Sequence, residues 1–233
     1  MNDSTQANKI RRDRREVRYL ALLISLLLLF VLTPFVETFR YGLVLMSVVG
    51  AIVIVSGTYA VSERRHLFVV TLIVAAAAVA TTCLLVVLQR EWIVVVSDGL
   101  LLLLLGLFSV GILGDVLRRG RISANKIYGA ICVYLLIGAA WGFAYAIMEL
   151  INPRSFSGLV DTGSFDHVGR AMQMRYFSFA TLTTLGFGDI VPRSAVARTL
   201  SMLEAVMGQI YLTVLIARLV GLHIVQASSS GDD

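Results

Sequence analysis

Only three histidines and two cysteines occur in the 233 residues of this chain, and that scarcity excludes much before any motif is considered. His66, His167 and His223 lie far apart, without the close His, Cys and carboxylate spacing of a zinc site or the grouping that a Ser/His/Asp triad needs. No catalytic residue and no cofactor is assigned, and the chain is expected not to be an enzyme. Cys83 and Cys132 each fall inside an apolar stretch, where a thiol behaves as a small packed hydrophobe. Charge is scarce as well: Asp, Glu, Lys and Arg supply 15% of the residues and are missing from several long runs.

What fills the gap is apolar. Hydrophobic residues make up 58% of the chain and the mean hydropathy is +0.83, against an apolar share of about 45–50% in soluble domains. Six stretches approach or exceed the roughly 20 residues that a helix needs to cross about 30 Å of hydrocarbon. They fall at Leu20–Val36, Tyr41–Val61, Leu67–Leu88, Trp92–Gly114, Ile127–Met148 and Ala195–Leu222. The expected fold class is an all-α membrane protein with six transmembrane helices. The first stretch follows a basic segment, but Val31–Thr38 has no small-residue cleavage pattern, so it reads as a retained anchor.

The formal charge of +5 takes its meaning from sidedness. With the amino terminus inside, Lys9, Arg11, Arg12, Arg14, Arg15, Arg18, Arg64, Arg65, Arg118, Arg119, Arg121, Lys126 and Arg218 are cytoplasmic. Arg40, Arg90, Arg154, Arg170, Arg175, Arg193 and Arg198 are then outside. Both termini are expected in the cytoplasm, and the short loops and tail suggest the plasma membrane of a prokaryote. The basic run near Lys9–Arg18 reads as topogenic, and membrane lipid is an expected partner. Nucleic acid is not.

Between the fifth and sixth spans the pattern changes. Polar residues at Asn152–Gly169 precede a short apolar piece, Met172–Thr183, and then a turn with two glycines. Twelve helical residues rise only about 18 Å, so the piece can enter the membrane and return only where protein or water satisfies its backbone. A re-entrant helix is the expectation. Gly186 and Gly188 can reach backbone conformations that residues with a Cβ resist. Read alone, Gly-Phe-Gly-Asp is a tight turn between helices.

In its setting, the stretch Thr181-Leu182-Thr183-Thr184-Leu185-Gly186-Phe187-Gly188-Asp189 resembles the T-V-G-Y-G-D selectivity filter of potassium channels. The resemblance covers about Lys126–Val225. It implies a filter in which Thr184, Leu185, Gly186 and Phe187 give carbonyl oxygens to K+, Thr184 its hydroxyl too, with Gly188 completing the turn. It further implies that Asp189 braces the outer mouth and that Tyr176 and Phe177 pack around the filter as an aromatic cuff. Leu185 replaces the usual valine, Phe187 lacks the tyrosine hydroxyl, and Ala180 stands where some members keep a glutamate.

The last span resembles the family's pore-lining inner helix, with Gly208 where a hinge is often found; hinge and close packing are both open readings. Glu204, in the outer part of that helix, is expected to make a structural hydrogen bond behind the filter. Arg218 either snorkels to the interface or rings the inner mouth, the former preferred. Six spans with one pore loop also suggest voltage gating, but Trp92–Val116 contains no arginine or lysine, so a voltage sensor is not expected. Asp98, alone in that span, could pair with an arginine, bind an ion or lie among headgroups, the last preferred.

The expected organisation is a basic cytoplasmic segment at 1–19, a four-helix membrane domain at 20–117, a pore domain at 125–224 and a short tail at 225–233. The tail is too small to fold into a regulatory domain. The expected function is a potassium-selective channel subunit that forms a homotetramer, with the permeant ion in place of any cofactor. The alternatives are a less selective cation channel and a non-conducting, channel-like adaptor. A transporter of the related kind needs four such loops in one chain, and a single one is present.

Overall fold

In the computed structural model the described residues are 18–33, 42–62, 64–88, 90–118, 123–160 and 167–229. The basic segment ahead of Arg18, the stretch 34–41 with Arg40, Arg119, Arg121, residues 161–166 and the end of the tail lie outside them.

Seven helices occur among the described residues: α1 (Arg18–Leu32), α2 (Gly42–Ala60), α3 (Arg65–Leu88), α4 (Glu91–Val116), α5 (Ala124–Ile151), α6 (His167–Leu182) and α7 (Ala195–Ser229). Leucine-, valine- and alanine-rich runs without charge favour them, because a helix satisfies its backbone hydrogen bonds internally. Four are long and apolar enough to cross a membrane, over Arg65–Leu85, Glu91–Val116, Ala124–Ile151 and Ala195–Arg218, whereas Arg18–Leu32 and Leu45–Ala60 are shorter apolar helices. The helices agree with the expected spans to within a few residues, α7 running beyond its expected end.

Two departures have local causes. The short helix expected at Met172–Thr183 begins earlier, at His167, because polar residues that hydropathy assigns to a loop are helical here. Gln173 uses both ends of its amide on the backbone of Val160, accepting from its N–H at 2.8 Å and donating to its carbonyl at 3.1 Å. The helical fold also contains one small antiparallel pair, β1 (Phe156–Ser157) with β2 (Val191–Pro192), in the register Phe156 to Pro192 and Ser157 to Val191.

The chain divides into two compact units, one of Met1–Val69, Phe108–Leu135 and Ala217–Asp233, the other of Val70–Leu107 and Leu136–Ile216. In the first, small residues let helices meet closely, as is common where no water drives helices together. Gly111 of α4 faces the Val61 side chain, which an added Cβ would approach to 2.9 Å. The Ser25 and Ser56 hydroxyls, on α1 and α2, are 3.1 Å apart.

A polar knot closes this unit. Asp115 Oδ2 accepts hydrogen bonds from Arg18 Nη2 and from the Tyr19 hydroxyl, both at 3.0 Å, while the Tyr19 N–H donates to Asn125 Oδ1 at 3.2 Å. Arg218 donates to the carbonyls of Leu117 and Arg118, and Lys126 Nζ donates to the Arg118 carbonyl at 3.2 Å. Arg218, for which snorkelling was expected, thus ties α7 to the end of α4.

The second unit is centred on aromatic packing. Tyr145 of α5, Phe156 of β1 and Phe177 of α6 meet edge to face, with ring centroids 5.1–5.4 Å apart, an arrangement that aromatic quadrupoles favour. After α5 the chain turns back around buried Glu149, whose carboxylate accepts the N–H groups of Arg154 at 2.8 Å and Phe156 at 3.1 Å. Asp98 lies within electrostatic reach of Arg175 on α6.

Removing the carboxylate of Asp115 takes from Arg18, only 7% exposed, the charged partner that it meets at 3.0 Å, and from Tyr19 a hydrogen-bond acceptor. Asp115→Ala is therefore expected to destabilise the protein by roughly 3–5 kcal/mol, seen as a lower unfolding midpoint in detergent. An unchanged midpoint would show the knot to be dispensable.

Candidate functional site

The segment that follows α6 departs from ordinary backbone geometry. Thr184, Gly186 and Gly188 have φ of 59°, 52° and 79°, so every second residue is left-handed. Glycine adopts such angles at little cost, whereas at Thr184 the conformation is strained and must be held by its surroundings. The N–H of Thr184 donates to the Thr181 carbonyl at 2.9 Å, and that of Gly186 to the Ala180 carbonyl at 3.1 Å. These bonds wrap the start of the turn around the end of α6. From Thr183 to Asp189 every residue is exposed, including Leu185 at 57% and Phe187 at 66%.

The two aromatics of α6 part company. Tyr176 turns toward the loop: its hydroxyl donates to Asp189 Oδ2 at 2.8 Å, and its ring stacks on Phe187 with centroids 6.4 Å apart and 7° between planes. Phe177 points the other way, into the aromatic cluster with Tyr145 and Phe156. One residue of the pair thus lies on the loop and the other anchors α6 to α5. The hydrogen bond from Tyr176 stabilises the carboxylate form of Asp189 and holds its carboxyl below the usual range, and the same bond pushes the Tyr176 phenol up.

Behind α6 lies the fully buried Glu204 of α7. Its Oε2 accepts from the Tyr145 hydroxyl of α5 at 2.7 Å, and its Oε1 lies 2.5 Å from the Ser178 hydroxyl of α6. The Ser178 hydroxyl also reaches the Gly138 carbonyl of α5 at 2.7 Å. A serine hydroxyl carries one hydrogen, which the Glu204 carboxyl oxygen and the Gly138 carbonyl share. Three helices meet at this group.

Glycines bring these helices close enough. A Cβ on Gly138 would approach the Phe179 ring to 2.5 Å, and one on Gly142 would come within 2.8 Å of the Arg175 Cα. Gly208 of α7 backs directly onto the Leu182 carbonyl at the end of α6, with no room for a Cβ. That contact gives Gly208 a packing role whether or not α7 also bends there. Gly158 of the β1 turn lies against the Asp189 carbonyl in the same way, at φ 89°.

The candidate residues therefore fall into one connected region: the loop 184–189 with Tyr176 on one side of α6, and Phe177, Glu204 and Gly208 on the other. Tyr145, Ser178 and Glu149 were not singled out in the sequence. A tyrosine or serine in an apolar helix gives no local signal of its partner, although the buried Glu204 required one.

Residues 129–223 match the family model described as an ion channel. No curated protein and no solved structure matches the chain. Residues 129–223 are thus similar to an ion-channel domain, and the chain has apolar helices suited to a membrane.

Two measurements test the geometry. Glu204→Gln keeps an N–H donor and an acceptor and is expected to leave the unfolding midpoint nearly unchanged, whereas Glu204→Ala, which orphans Tyr145 and Ser178, should cost roughly 2–4 kcal/mol. Equal effects of the two would show that the hydrogen bonds of this group add nothing to its packing. The contribution of the Tyr176 contact is present above the ordinary Asp189 value of 3.8 and is lost as pH falls through the depressed one. Tyr176→Phe is expected to raise the Asp189 titration toward 3.8, followed by carboxyl NMR.

Proposed function

We infer that residues 125–224 form one quarter of a potassium-selective pore, in which α6 is a re-entrant pore helix, 184–188 is the filter and α7 lines the conduction path. The observation that carries this reading is the alternation of φ at Thr184, Gly186 and Gly188. In an extended strand successive carbonyls point to opposite sides. Alternating handedness turns successive peptide groups the same way, as in backbone nests. A row of carbonyls on one side is what replaces the hydration shell of K+ when four copies face a common axis.

Exposure supports assembly. The loop is open along its length, and Met202, Leu203, Val206, Ile210 and Val214 of α7 are all exposed large hydrophobics. A homotetramer would cover such surfaces around the axis. Six crossings with both termini inside agree with the meeting of Arg18, Arg64, Arg118 and Arg218 in one unit, since these residues flank α1, the α2–α3 and α4–α5 connections, and the end of the last span. The plasma membrane of a prokaryote is the location proposed with this reading.

Phe187 favours one variant of this reading. Its ring stacks on Tyr176 and has no hydroxyl to donate to the pore helix, so the outer filter has one restraint fewer, and a less selective cation channel is the second reading.

The protein reconstituted in liposomes is expected to pass K+ in preference to Na+, and Gly186→Ala, which forces a Cβ into a left-handed position, to abolish that flux. Comparable Na+ flux would transfer the reading to the less selective channel. A folded tetramer that passes neither ion after Arg218→Ala, which frees α7 from α4, would overturn the conducting reading in favour of an adaptor.

A further inference from the structure

Around Asp115, three guanidinium groups face one carboxylate. Arg18 takes Oδ2 at 3.0 Å. Arg64 Nη2 and Arg118 Nε lie 3.7 and 3.9 Å from Oδ1, near enough for ion pairing and too far for hydrogen bonds. Consistent with that, Arg64 Nε and Asp115 Oδ1 are buried and hydrogen-bond to nothing among the described residues. Among the described residues, Arg64 and Arg118 are thus only loosely paired with Asp115, and Lys126 adds a further cation beside the Arg118 carbonyl.

The two loosely held arginines are also accessible. Arg64 is 36% exposed and Arg118 63%. Arg64 immediately precedes apolar α3, and Arg118 lies just past the end of apolar α4, so both stand at the level where a bilayer has its phosphates. Gly114 makes room for the first: a Cβ there would come within 2.5 Å of Arg64 Nη2 and displace the guanidinium. An arginine presents five N–H donors in a planar fork suited to phosphate, and most of those on Arg64 and Arg118 are unused by Asp115.

We propose that Arg64 and Arg118 form a clamp for a phosphate group, either the headgroup of an anionic phospholipid or free phosphate, beside the Asp115 knot. The chemistry is common to both sources: a singly or doubly charged anion bridges two guanidinium groups that a single carboxylate leaves incompletely paired. These residues lie outside the matched channel domain, so the site belongs to the part of the chain that the family model does not cover. Arg218 of α7 holds the Arg118 carbonyl, so an anion that orders Arg118 also acts on the segment to which α7 is tied.

The test uses the full chain in neutral detergent, with dioctanoyl phosphatidylglycerol, dioctanoyl phosphatidylcholine and inorganic phosphate as probes. Phosphatidylglycerol is expected to raise the unfolding midpoint by about 5 °C at saturating concentration, and phosphatidylcholine to leave it in place. An equal rise with inorganic phosphate would identify the free anion as the ligand; a rise with phosphatidylglycerol alone would identify the lipid. Arg64→Gln with Arg118→Gln should abolish the rise while Asp115 keeps Arg18 and Tyr19. If that pair of changes prevents folding, exposed Arg118→Gln alone should at least halve it. Equal responses to both lipids with none to phosphate, or a rise that survives the substitutions, would overturn the proposal. No ion flux enters this readout, so its failure and that of the channel reading are separable.

Discussion

A carboxyl group that must find partners inside an apolar bundle organises the region similar to an ion-channel domain. Glu204 is fully buried, and burial of such a group without hydrogen bonds would cost several kcal/mol. Its two oxygens reach Tyr145 of α5 and Ser178 of α6, and Ser178 continues to the Gly138 backbone. The position of α6 relative to α5 and α7 is therefore set by directional bonds as well as by packing. Tyr145 belongs to both systems, since the ring that bears the hydroxyl also meets Phe156 and Phe177.

From that anchor the strained loop can be understood. α6 is held from behind by Glu204, from the side by glycines that admit Phe179 and Arg175 against α5, and at its end by Gly208. Its last turn then offers the carbonyls of Ala180 and Thr181 as fixed acceptors for the N–H groups of Gly186 and Thr184. Beyond the loop, Asp189 is tied to Tyr176, and the chain returns through the β1–β2 pair to the turn around Glu149. Left-handed φ at a threonine persists only where the flanks are restrained in this way.

Charge is handled differently in the two units. In the second, Asp98 lies within electrostatic reach of Arg175, and Glu149 is consumed by backbone N–H groups. In the first, among the described residues, three arginines surround the Asp115 carboxylate, and Arg64 and Arg118 lie at the ends of apolar helices. Loosely paired cations of that kind are tolerable only near water or phosphate, which is the basis for reading the Asp115 region as an interface with anions.

Much of this was legible in the order of residues. Uncharged runs of about 20 residues determined where helices form, because only internal hydrogen bonding suits a backbone in hydrocarbon. The Thr-Thr-Leu-Gly-Phe-Gly-Asp run identified the loop, because its spacing of glycines is a local requirement of backbone geometry. Tertiary structure alone decided which partners the isolated polar groups take. Hydropathy registers Glu204, Asp98, Asp115 and Arg218 as exceptions within or beside apolar runs, but groups that answer them can lie far away in the chain, 59 residues for Tyr145 with Glu204 and 101 for Arg218 with Leu117. The opposite directions taken by adjacent Tyr176 and Phe177 were decided in the same way, by what lies on either side of α6, which no local pattern encodes.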